Sequence, residues 1–286
     1  MSSSRLDVAL VARGLSRSRG QAVDMVKSGQ VILDGRVATK PSARVDADSV
    51  LEVTDGGRHH VGRGAAKLVG ALDEFAVRVA DRWALDAGAS TGGFTQVLLE
   101  RGAANVVAVD VGHDQLAPRL RGDARVINLE GTNLRELDRI WRWPPVDLVT
   151  ADLSFISLTT VLPMIRSVLA PQADLILLVK PQFEAGRGAL DSRGVVTDPR
   201  DRADAVERVA AAGLALGLTP LAAVPSAITG AVGNQEYFLH LAWDAGAARA
   251  ESVSLEWIRR VVGQDGVHPI RPPQQARDPG AKRQLA

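Results

Sequence analysis

Four ionisable side chains stand at or near apolar runs, and together they could activate a hydroxyl group. Asp152 follows VDLVTA, Lys180 follows LILLV, Glu236 precedes YFLHLAW, and Lys67 lies on a predicted helix before the run WAL. A lysine can accept a hydroxyl proton when burial and a second cation lower its pKa toward neutrality. Lys180 is therefore the candidate base, Lys67 the neighbouring cation, and the two carboxylates orient and compensate the ammonium groups.

Each of the four residues also has an ordinary structural explanation. Lys67 could be a surface lysine of its helix, Asp152 a helix cap and Glu236 a charge on an edge strand. Two lysines and two carboxylates at one edge of a sheet are harder to explain in this way. No metal is expected to assist, because the chain has no cysteine and its five histidines show no ligand spacing.

A glycine-rich turn, DAGASTGGFTQ at residues 86–96, indicates where a ligand approaches the backbone. Gly88, Gly92 and Gly93 lack the Cβ that would keep a ligand away. The spacing excludes the dinucleotide pattern GxGxxG, which needs a glycine at Ser90, and no Gly-Lys-Ser/Thr follows as in a Walker loop. S-adenosylmethionine (AdoMet), with a ribose and a charged amino-acid end, suits a wide turn that binds no phosphate.

The next predicted strand supports a nucleoside ligand. Asp110 ends NVVAVD, 22 residues after Gly88, where a carboxylate can accept hydrogen bonds from both ribose hydroxyls. NAD-type ligands use an acidic residue in the same way, so Asp110 indicates a nucleoside without identifying the cofactor. Together with Lys180, the turn favours methyl transfer from AdoMet to a ribose 2′-hydroxyl.

The elements that must position these groups alternate between residues 65 and 243. Short apolar strands separated by helices are typical of a parallel α/β sheet covered on both faces. The predicted strands are 83–88, 105–111, 125–130, 146–153, 173–180, 220–225 and 236–243. The predicted helices are 65–75, 93–101, 113–121, 133–140, 158–169 and 199–216. No helix separates the last two strands, which could form an antiparallel edge pair.

The N-terminal segment is a small basic module. Two short helices within residues 5–28 precede a hairpin that turns at Asp34-Gly35. Residues 1–45 contain eight Lys or Arg and three Asp, whereas the whole chain carries a net charge of +1. Such a module indicates a polyanionic partner, although a solvated basic face has the same composition.

The predicted domains are a basic module at 1–55, a linker at 56–64, a body at 65–263 and a disordered basic tail at 264–286. The uncharged segment 209–235 is long enough to span a bilayer. Pro220 and Pro225 interrupt it, so we predict helix end, strand and loop within a soluble core. The absence of cysteine and of a signal peptide favours the cytoplasm.

Several stretches resemble known families. RLDVALVARGLSRSRGQAVDMVKSGQVILDGR, followed by KP, resembles an S4-type RNA-binding domain, and the body resembles the FtsJ/RrmJ-like 2′-O-ribose methyltransferases. The Lys-Asp-Lys-Glu tetrad of those enzymes matches Lys67, Asp152, Lys180 and Glu236. With GASTGGFT, ADLSFISL, LVKPQFEAGRG and GNQEYF, residues 5 to about 262 are similar to the hemolysin-A-like (TlyA) family.

The resemblance implies an α/β fold, a Rossmann-like class I methyltransferase with a seven-stranded sheet, preceded by a small α+β S4 domain. It implies AdoMet-dependent 2′-O-methylation of cytidine in the ribosomal RNA of 30S and/or 50S subunits. Glu130 matches the family position that contacts the adenosine. The residues expected at the cofactor are Asp86, Gly88, Ala89, Ser90, Gly92, Gly93, Phe94, Thr95, Asp110, Val111, Glu130 and Asp152. Those expected to bind RNA are Arg5, Arg13, Arg17, Arg19, Lys27, Arg36, Lys40 and Arg63.

Three other interpretations remain open. Asp152-Leu153-Ser154-Phe155 distantly resembles the acidic/amide-Pro-Pro-aromatic loop of base-nitrogen methyltransferases, but it lacks both prolines. A ribosome assembly factor that binds AdoMet without transferring methyl groups has no need of the complete tetrad. The glycine spacing disfavours an NAD-linked oxidoreductase. We expect a monomer or weak dimer without a pore-forming segment.

Overall fold

A computed structural model divides the chain into two compact units, Met1–Arg63 and Gly64–Ala286. The described residues are 4–27, 31–38, 40–46, 48–53, 60–62, 64–230, 232–246 and 252–263. The predicted tail at 264–286 and most of the predicted linker at 56–64 lie outside them. The predicted domain boundaries therefore stay predictions.

The first unit combines two helices with short antiparallel strands. The helices are α1, Leu6–Ala12, and α2, Arg19–Lys27; the strands are β1, Ser4–Arg5, β2, Val31–Leu33, β3, Arg36–Val37, β4, Arg44–Val45, and β5, Leu51–Val53. Strand β2 lies between β3 and β5, and β1 pairs with β4. Asp34 and Gly35 have φ angles of 49° and 76°. A two-residue type I′ hairpin requires positive φ at both positions, so the predicted turn is confirmed.

The second unit is built on the predicted seven-stranded sheet. Its strands are β6, Trp83–Ala87, β7, Asn105–Val109, β8, Val126–Leu129, β9, Val146–Ala151, β10, Leu169–Val179, β11, Thr219–Pro225, and β12, Tyr237–Asp244. Their order is β11-β12-β10-β9-β6-β7-β8. Strands β6 to β10 pair in parallel, and β12 runs antiparallel to β10 and β11. The expected antiparallel pair exists, but only β11 lies at the edge, because β12 inserts between β11 and β10.

Helices pack against this sheet. They are α3, Gly64–Phe75, α4, Gly93–Glu100, α5, Pro118–Arg121, α6, Leu137–Ile140, α7, Leu158–Ser167, α8, Pro181–Glu184, α9, Pro199–Ala215, and α10, Leu255–Gly263. Side-chain oxygens of Ser157 and Asp198 accept backbone N–H groups at the N-termini of α7 and α9. The short α8 and the terminal α10 were not predicted. Within the described ranges, no helix has the length and apolar character needed to cross a membrane.

The predicted helix at 113–121 is wrong in its first half. Only Pro118–Arg121 is helical. The backbone N–H groups of Gln115 and Leu116 donate to Glu130 Oε1 at 2.5 and 2.9 Å. The carboxylate of Glu130, directly after β8, therefore holds these donors in a non-helical turn, and Pro118, which has no N–H, starts the helix. The predicted helix at 133–140 divides into a 3₁₀ turn at Leu134–Glu136 and α6.

Strand register brings the glycine turn beside one candidate carboxylate. Ala87 of β6 pairs with Ala151 of β9, so the residues that follow them, Gly88 and Asp152, are neighbours. Strand order reverses between β6 and β9, because β7 and β8 lie on one side and β10 on the other. Open α/β sheets bind ligands at such a reversal, at the carboxyl ends of the strands.

The antiparallel strand β12 supplies the other side of the site. Val179 of β10 pairs with Tyr237 of β12. The start of an antiparallel strand meets the end of its neighbour, so Glu236, just before Tyr237, lies beside Lys180, just after Val179. A parallel β12 would have placed Glu236 at the opposite edge of the sheet.

Candidate active site

Each of the two lysines pairs with one carboxylate at the carboxyl edge of the sheet. Lys67 Nζ lies 2.5 Å from Glu236 Oε2, and Lys180 Nζ lies 2.6 Å from Asp152 Oδ1. The lysine side chains are 10% and 12% exposed, so salt screens these pairs much less than surface pairs. Over the described ranges, no three His, Cys, Asp or Glu side chains are arranged to hold a metal ion. The structure brings the predicted tetrad together, and its catalytic roles stay predictions.

Close packing fixes the position of Glu236. Its carboxylate is almost fully buried, and a Cβ added at Gly230 would come within 2.6 Å of Oε1. Only glycine therefore leaves room for the Glu236 side chain at this point of the loop after β11. The backbone N–H of Ser226 donates to the Glu236 carbonyl at 2.8 Å, which holds the start of β12.

The loop after β9 contributes two side chains, Ser154 and Phe155, that lie outside the predicted set of site residues. Lys180 Nζ donates to Ser154 Oγ at 2.9 Å. Phe155 is 92% exposed and has a φ angle of 65°, a conformation that is costly for a bulky residue. Its ring centroid lies 5.2 Å from that of Phe183 on α8. The sequence signal for these two residues is a hydroxyl and an aromatic side chain two and three positions after Asp152.

Glu184 ties this loop to the segment that carries Lys180. Its buried carboxylate accepts the Ser157 hydroxyl at 2.5 Å and the Leu158 N–H at 2.7 Å, and Arg208 donates to its carbonyl oxygen. Burial raises the pKa of Glu184, although the hydrogen bonds from Ser157 and Leu158 oppose the shift. Helix α8 begins directly after Lys180. The hydrogen bonds of Glu184 therefore fix the position of the loop after β9 relative to that lysine.

Two glycines shape the predicted cofactor turn. Gly88 and Gly92 have φ angles of 84° and 95°, in the region that favours glycine. A Cβ at Gly88 would approach the Asp152 carbonyl oxygen to 2.6 Å and push β6 from β9. A Cβ at Gly92 would overlap the side chains of Leu116 and Leu120. Both positions therefore require glycine for packing as well as for ligand access.

Asp110, the predicted partner of a ribose, directly follows β7. Its Oδ2 accepts the Ser90 N–H at 2.8 Å, and its Oδ1 accepts the Gly112 N–H at 2.7 Å. These bonds join the carboxylate to the glycine turn and orient both oxygens. Val111, the next residue, is 72% exposed, which leaves an apolar side chain available to a ligand ring.

Glu130 organises the loop beside Asp110. Besides the hydrogen bonds from the N–H groups of Gln115 and Leu116, its carboxylate accepts hydrogen bonds from Asn128 Nδ2 at 2.8 Å and Arg121 Nη2 at 2.9 Å. Hydrogen bonding, first from Asn128 and then from the loop amides, lowers the pKa of Glu130 to about 2. Both carboxylate oxygens are therefore occupied by protein donors, and the predicted contact with adenosine stays a prediction.

The start of the turn and of α4 faces the core. Asp86, Phe94 and Thr95 are fully or almost fully buried, as are Ala89 and Gly93. Thr95 Oγ1 donates to Asp86 Oδ2 at 2.6 Å, and the Phe94 ring packs against that of Phe238. The cofactor contacts predicted for Asp86, Phe94 and Thr95 would therefore involve backbone groups, because these side chains pack beneath the turn, and they stay predictions.

Replacing Asp86 by asparagine should change how stability depends on pH. Burial, the largest cause, raises the pKa of Asp86 to about 7, against hydrogen bonds from Thr95 and Thr150. The folded protein thus binds this proton more tightly than the unfolded chain. The bound proton of Asp86 contributes fully to the free energy of unfolding below pH 3.8, the ordinary pKa of the group, and this contribution is lost as pH rises through 7. Between these two values, the free energy of unfolding should fall by about 1.4 kcal/mol per pH unit.

Urea unfolding between pH 4.5 and 7.5 provides the measurement, at about half-unit steps. Asp86→Asn should flatten the decline, since an amide does not titrate in this range. Asp114→Asn is the matched control, because the Asp114 side chain is 90% exposed. Identical slopes for the wild type and Asp86→Asn would contradict a buried, proton-binding Asp86.

In the first unit, Asp7 holds two arginines together. Arg5 Nε and Arg19 Nη2 donate to the Asp7 carboxylate at 3.0 and 2.9 Å. The Arg5 hydrogen bond, ahead of that from Arg19, lowers the pKa of Asp7 to about 2. Asp7 is almost fully buried, whereas the arginine side chains are 53% and 62% exposed. Two guanidinium groups are therefore held side by side at the surface.

The other predicted RNA-binding residues are less uniform. Arg13 donates to the carbonyl oxygens of Ser49 and Asp46 at 2.6 and 3.1 Å, so it also stabilises the unit. Arg17 and Lys40 are exposed. Arg63 and the side chains of Lys27 and Arg36 lie outside the described part of the structure. The RNA-binding roles of all eight residues stay predictions.

Comparison with known proteins identifies the family of each part of the chain. The model of the FtsJ-like methyltransferase family matches residues 60–243, and the S4 domain model matches residues 4–51. The sheet, the glycine turn and the paired lysines and carboxylates accordingly define an FtsJ-like methyltransferase unit joined to an S4 domain. The chain belongs to the hemolysin-A-like (TlyA) family.

Relatives match along most of the chain. The chain is 53% identical over 238 residues to the 16S/23S rRNA (cytidine-2′-O)-methyltransferase TlyA of Mycobacterium tuberculosis, covering 83% of this chain and 89% of that protein. It is 33% identical to the 23S rRNA (cytidine-2′-O)-methyltransferase TlyA of Campylobacter jejuni, covering 80% and 96%. A solved structure of a "putative hemolysin" from Streptococcus thermophilus matches with a TM-score of 0.68 and 34% identity, covering 92% and 96%.

Proposed function

We propose that this protein is an AdoMet-dependent rRNA (cytidine-2′-O)-methyltransferase. The observation that carries the proposal is the pair of shielded contacts, Lys67 to Glu236 and Lys180 to Asp152, at the carboxyl edge of the sheet. The relatives from M. tuberculosis and C. jejuni are named for this activity. An assembly factor that only binds AdoMet has no use for two lysines so largely removed from water.

The residues around the glycine turn fit AdoMet. Gly88, at positive φ, leaves the backbone open. Just after β7, each carboxylate oxygen of Asp110 accepts one backbone N–H and keeps a second lone pair for a ligand hydroxyl. Asp110 would hold the ribose hydroxyls, Val111 would cover one face of the adenine, and backbone groups near Gly92 would meet the amino-acid end. When bound, AdoMet supplies an electrophilic methyl group on its sulfonium sulfur.

Lys180 is the proposed base. Its Nζ accepts the proton of the ribose 2′-hydroxyl as that oxygen becomes the nucleophile. Lys67 provides a second positive charge near the developing alkoxide, and Glu236 keeps that charge in place through the contact at 2.5 Å. Asp152 orients Lys180, and its backbone borders Gly88. The base and the cofactor turn are therefore parts of one edge.

The exposed ring of Phe155 suits a nucleoside substrate. An exposed aromatic side chain can stack on unpaired bases with little sequence preference. Phe155 is 92% exposed and lies on the loop that also contacts Lys180. It would stack on the target base while the ribose faces Lys180.

A methylation assay followed by alkaline hydrolysis tests the proposal. Purified protein, AdoMet and ribosomal subunits should yield RNA that resists alkaline cleavage at the modified nucleotide, because hydrolysis requires a free 2′-hydroxyl. A product that carries the methyl group but cleaves normally would support base-nitrogen methylation instead. AdoMet binding without a labelled product would support the assembly factor.

The rRNA of 30S and/or 50S subunits is the proposed substrate. The M. tuberculosis relative is named for both 16S and 23S rRNA, and the C. jejuni relative for 23S rRNA alone. We propose a cytoplasmic monomer or weak dimer, since ribosomal subunits assemble in that compartment. Mapping ribose methylation in ribosomes from cells with and without this protein would identify the nucleotide.

The S4 unit should provide salt-dependent binding to the subunit. Removal of Arg5 and Arg19, which Asp7 holds together, should weaken binding and reduce the slope of log K against log salt by about 2. Deletion of residues 1–55 should flatten the slope further. Val8→Ala is a matched control, because Val8 is exposed and uncharged. Unchanged affinity in the double arginine variant would mean that these charges form only a solvated face.

A further inference from the structure

We propose that Ser154 is a positioning residue that aims the base Lys180 at the substrate hydroxyl. Lys180 Nζ is 2.9 Å from Ser154 Oγ and 2.6 Å from Asp152 Oδ1. Neither the tetrad nor the cofactor turn includes Ser154. The inference rests on the proposed function, because it assigns a partner to the proposed base.

The tetrahedral geometry of the lysine nitrogen gives this second acceptor its importance. A neutral amine has one bond to Cε, two N–H bonds and one lone pair. With the ion contact to Asp152 alone, one N–H bond points toward the carboxylate, and the second N–H bond and the lone pair can exchange the two remaining positions. With Ser154 as the acceptor of the second N–H bond, the lone pair points in the one direction that remains. A proton on the ribose hydroxyl must lie along that direction to be accepted.

The surrounding structure holds Ser154 in this position. Glu184 binds Ser157 and the N–H of Leu158, so the loop is anchored three to four residues beyond Ser154. Directly after Ser154, the ring of Phe155 packs against that of Phe183. Both anchors connect the Ser154 loop to α8, which starts at the residue after Lys180.

The hydrogen bond also has a predictable effect on the rate of catalysis. Ser154 Oγ accepts a hydrogen bond from Lys180 Nζ at 2.9 Å. Loss of the hydroxyl should lower the maximal rate, because the amine loses its orientation, and should leave the binding of AdoMet and of the subunit unchanged.

Single-turnover methylation of ribosomal subunits by Ser154→Ala and Ser154→Thr tests the proposal. Ser154→Ala should lower the maximal rate about tenfold. The KM for AdoMet and for the subunit should stay within about twofold of the wild type. Ser154→Thr keeps the hydroxyl, and Ser154 is exposed, so this variant should have a rate close to that of the wild type.

Ser167→Ala is the matched control, since its exposed hydroxyl donates to the Met164 carbonyl at the far end of α7. Thermal unfolding of each variant identifies a folding defect, which would lower the melting temperature, whereas loss of orientation lowers the rate at an unchanged melting temperature and KM. A Ser154→Ala enzyme with the wild-type rate would overturn the proposal. So would a Ser154→Thr enzyme as slow as Ser154→Ala. If the wild type methylates no RNA, the proposed function fails first, independently of Ser154.

Discussion

Replacing Lys180 by alanine should reduce the rate of methyl transfer by about 10³-fold while AdoMet binding survives. Removal of a general base leaves the hydroxyl protonated and therefore a poor nucleophile. The proposed AdoMet contacts at Gly88 and Asp110 follow β6 and β7, whereas Lys180 follows β10. The cofactor contacts should therefore persist, and calorimetric titration should give a Kd within about threefold of the wild-type value.

A second variant separates the base from its charge. Lys180→Arg keeps a cation beside Asp152, but a guanidinium group does not give up its proton in proteins. The arginine variant should be as inactive as Lys180→Ala if proton uptake matters, and active if only positive charge matters. Turnover by Lys180→Ala within tenfold of the wild type would show that another group removes the proton.

Replacing Glu236 by alanine should lower the free energy of unfolding by about 3 kcal/mol and abolish activity. The change leaves the Lys67 ammonium uncompensated in a site where its side chain is only 10% exposed. Removing one partner of a buried ion pair is costly, because the remaining charge keeps its desolvation penalty and loses its attraction. Urea unfolding at neutral pH measures the effect.

A double variant distinguishes the pair from its parts. Lys67→Met combined with Glu236→Leu removes both charges, so stability should recover by most of the loss while methyl transfer stays absent. Arg78→Ala is the comparison, because the Arg78–Asp81 pair is 75% and 85% exposed and should contribute less than about 1 kcal/mol. A loss in Glu236→Ala no larger than that in Arg78→Ala would mean that Lys67 finds solvent or another partner.

The predicted element types depend on short-range patterns, and most of them are confirmed. The strand predicted at 146–153, which is observed at Val146–Ala151, and the turn at Asp34-Gly35 follow from an apolar run and from turn chemistry within a few residues. The first part of the helix predicted at 113–121 fails for the converse reason. Its residues have helical periodicity, but Glu130 binds the N–H groups of Gln115 and Leu116, and no local pattern reveals a competing acceptor that distant.

The contents of the candidate site could be predicted in part. Carboxyl ends of parallel strands meet at one edge of the sheet, and this is enough to group Asp110, Asp152 and Lys180 from the sequence. Ser154 and Phe155 are visible in the sequence, yet nothing in it shows that one bonds to Lys180 while the other is exposed at positive φ. Glu184 looks like a surface charge after Phe183, and its burial is a consequence of α7 and α9 packing around it.

Local residue order is sufficient for the glycine turn, the basic S4 stretch and the succession of strands and helices, because those features depend on neighbours along the chain. Local residue order does not determine which lysine pairs with which carboxylate. Lys67 and Glu236 are 169 residues apart, and they meet because β12 inserts antiparallel between β10 and β11. That insertion depends on the packing free energy of the whole sheet, which no single segment encodes.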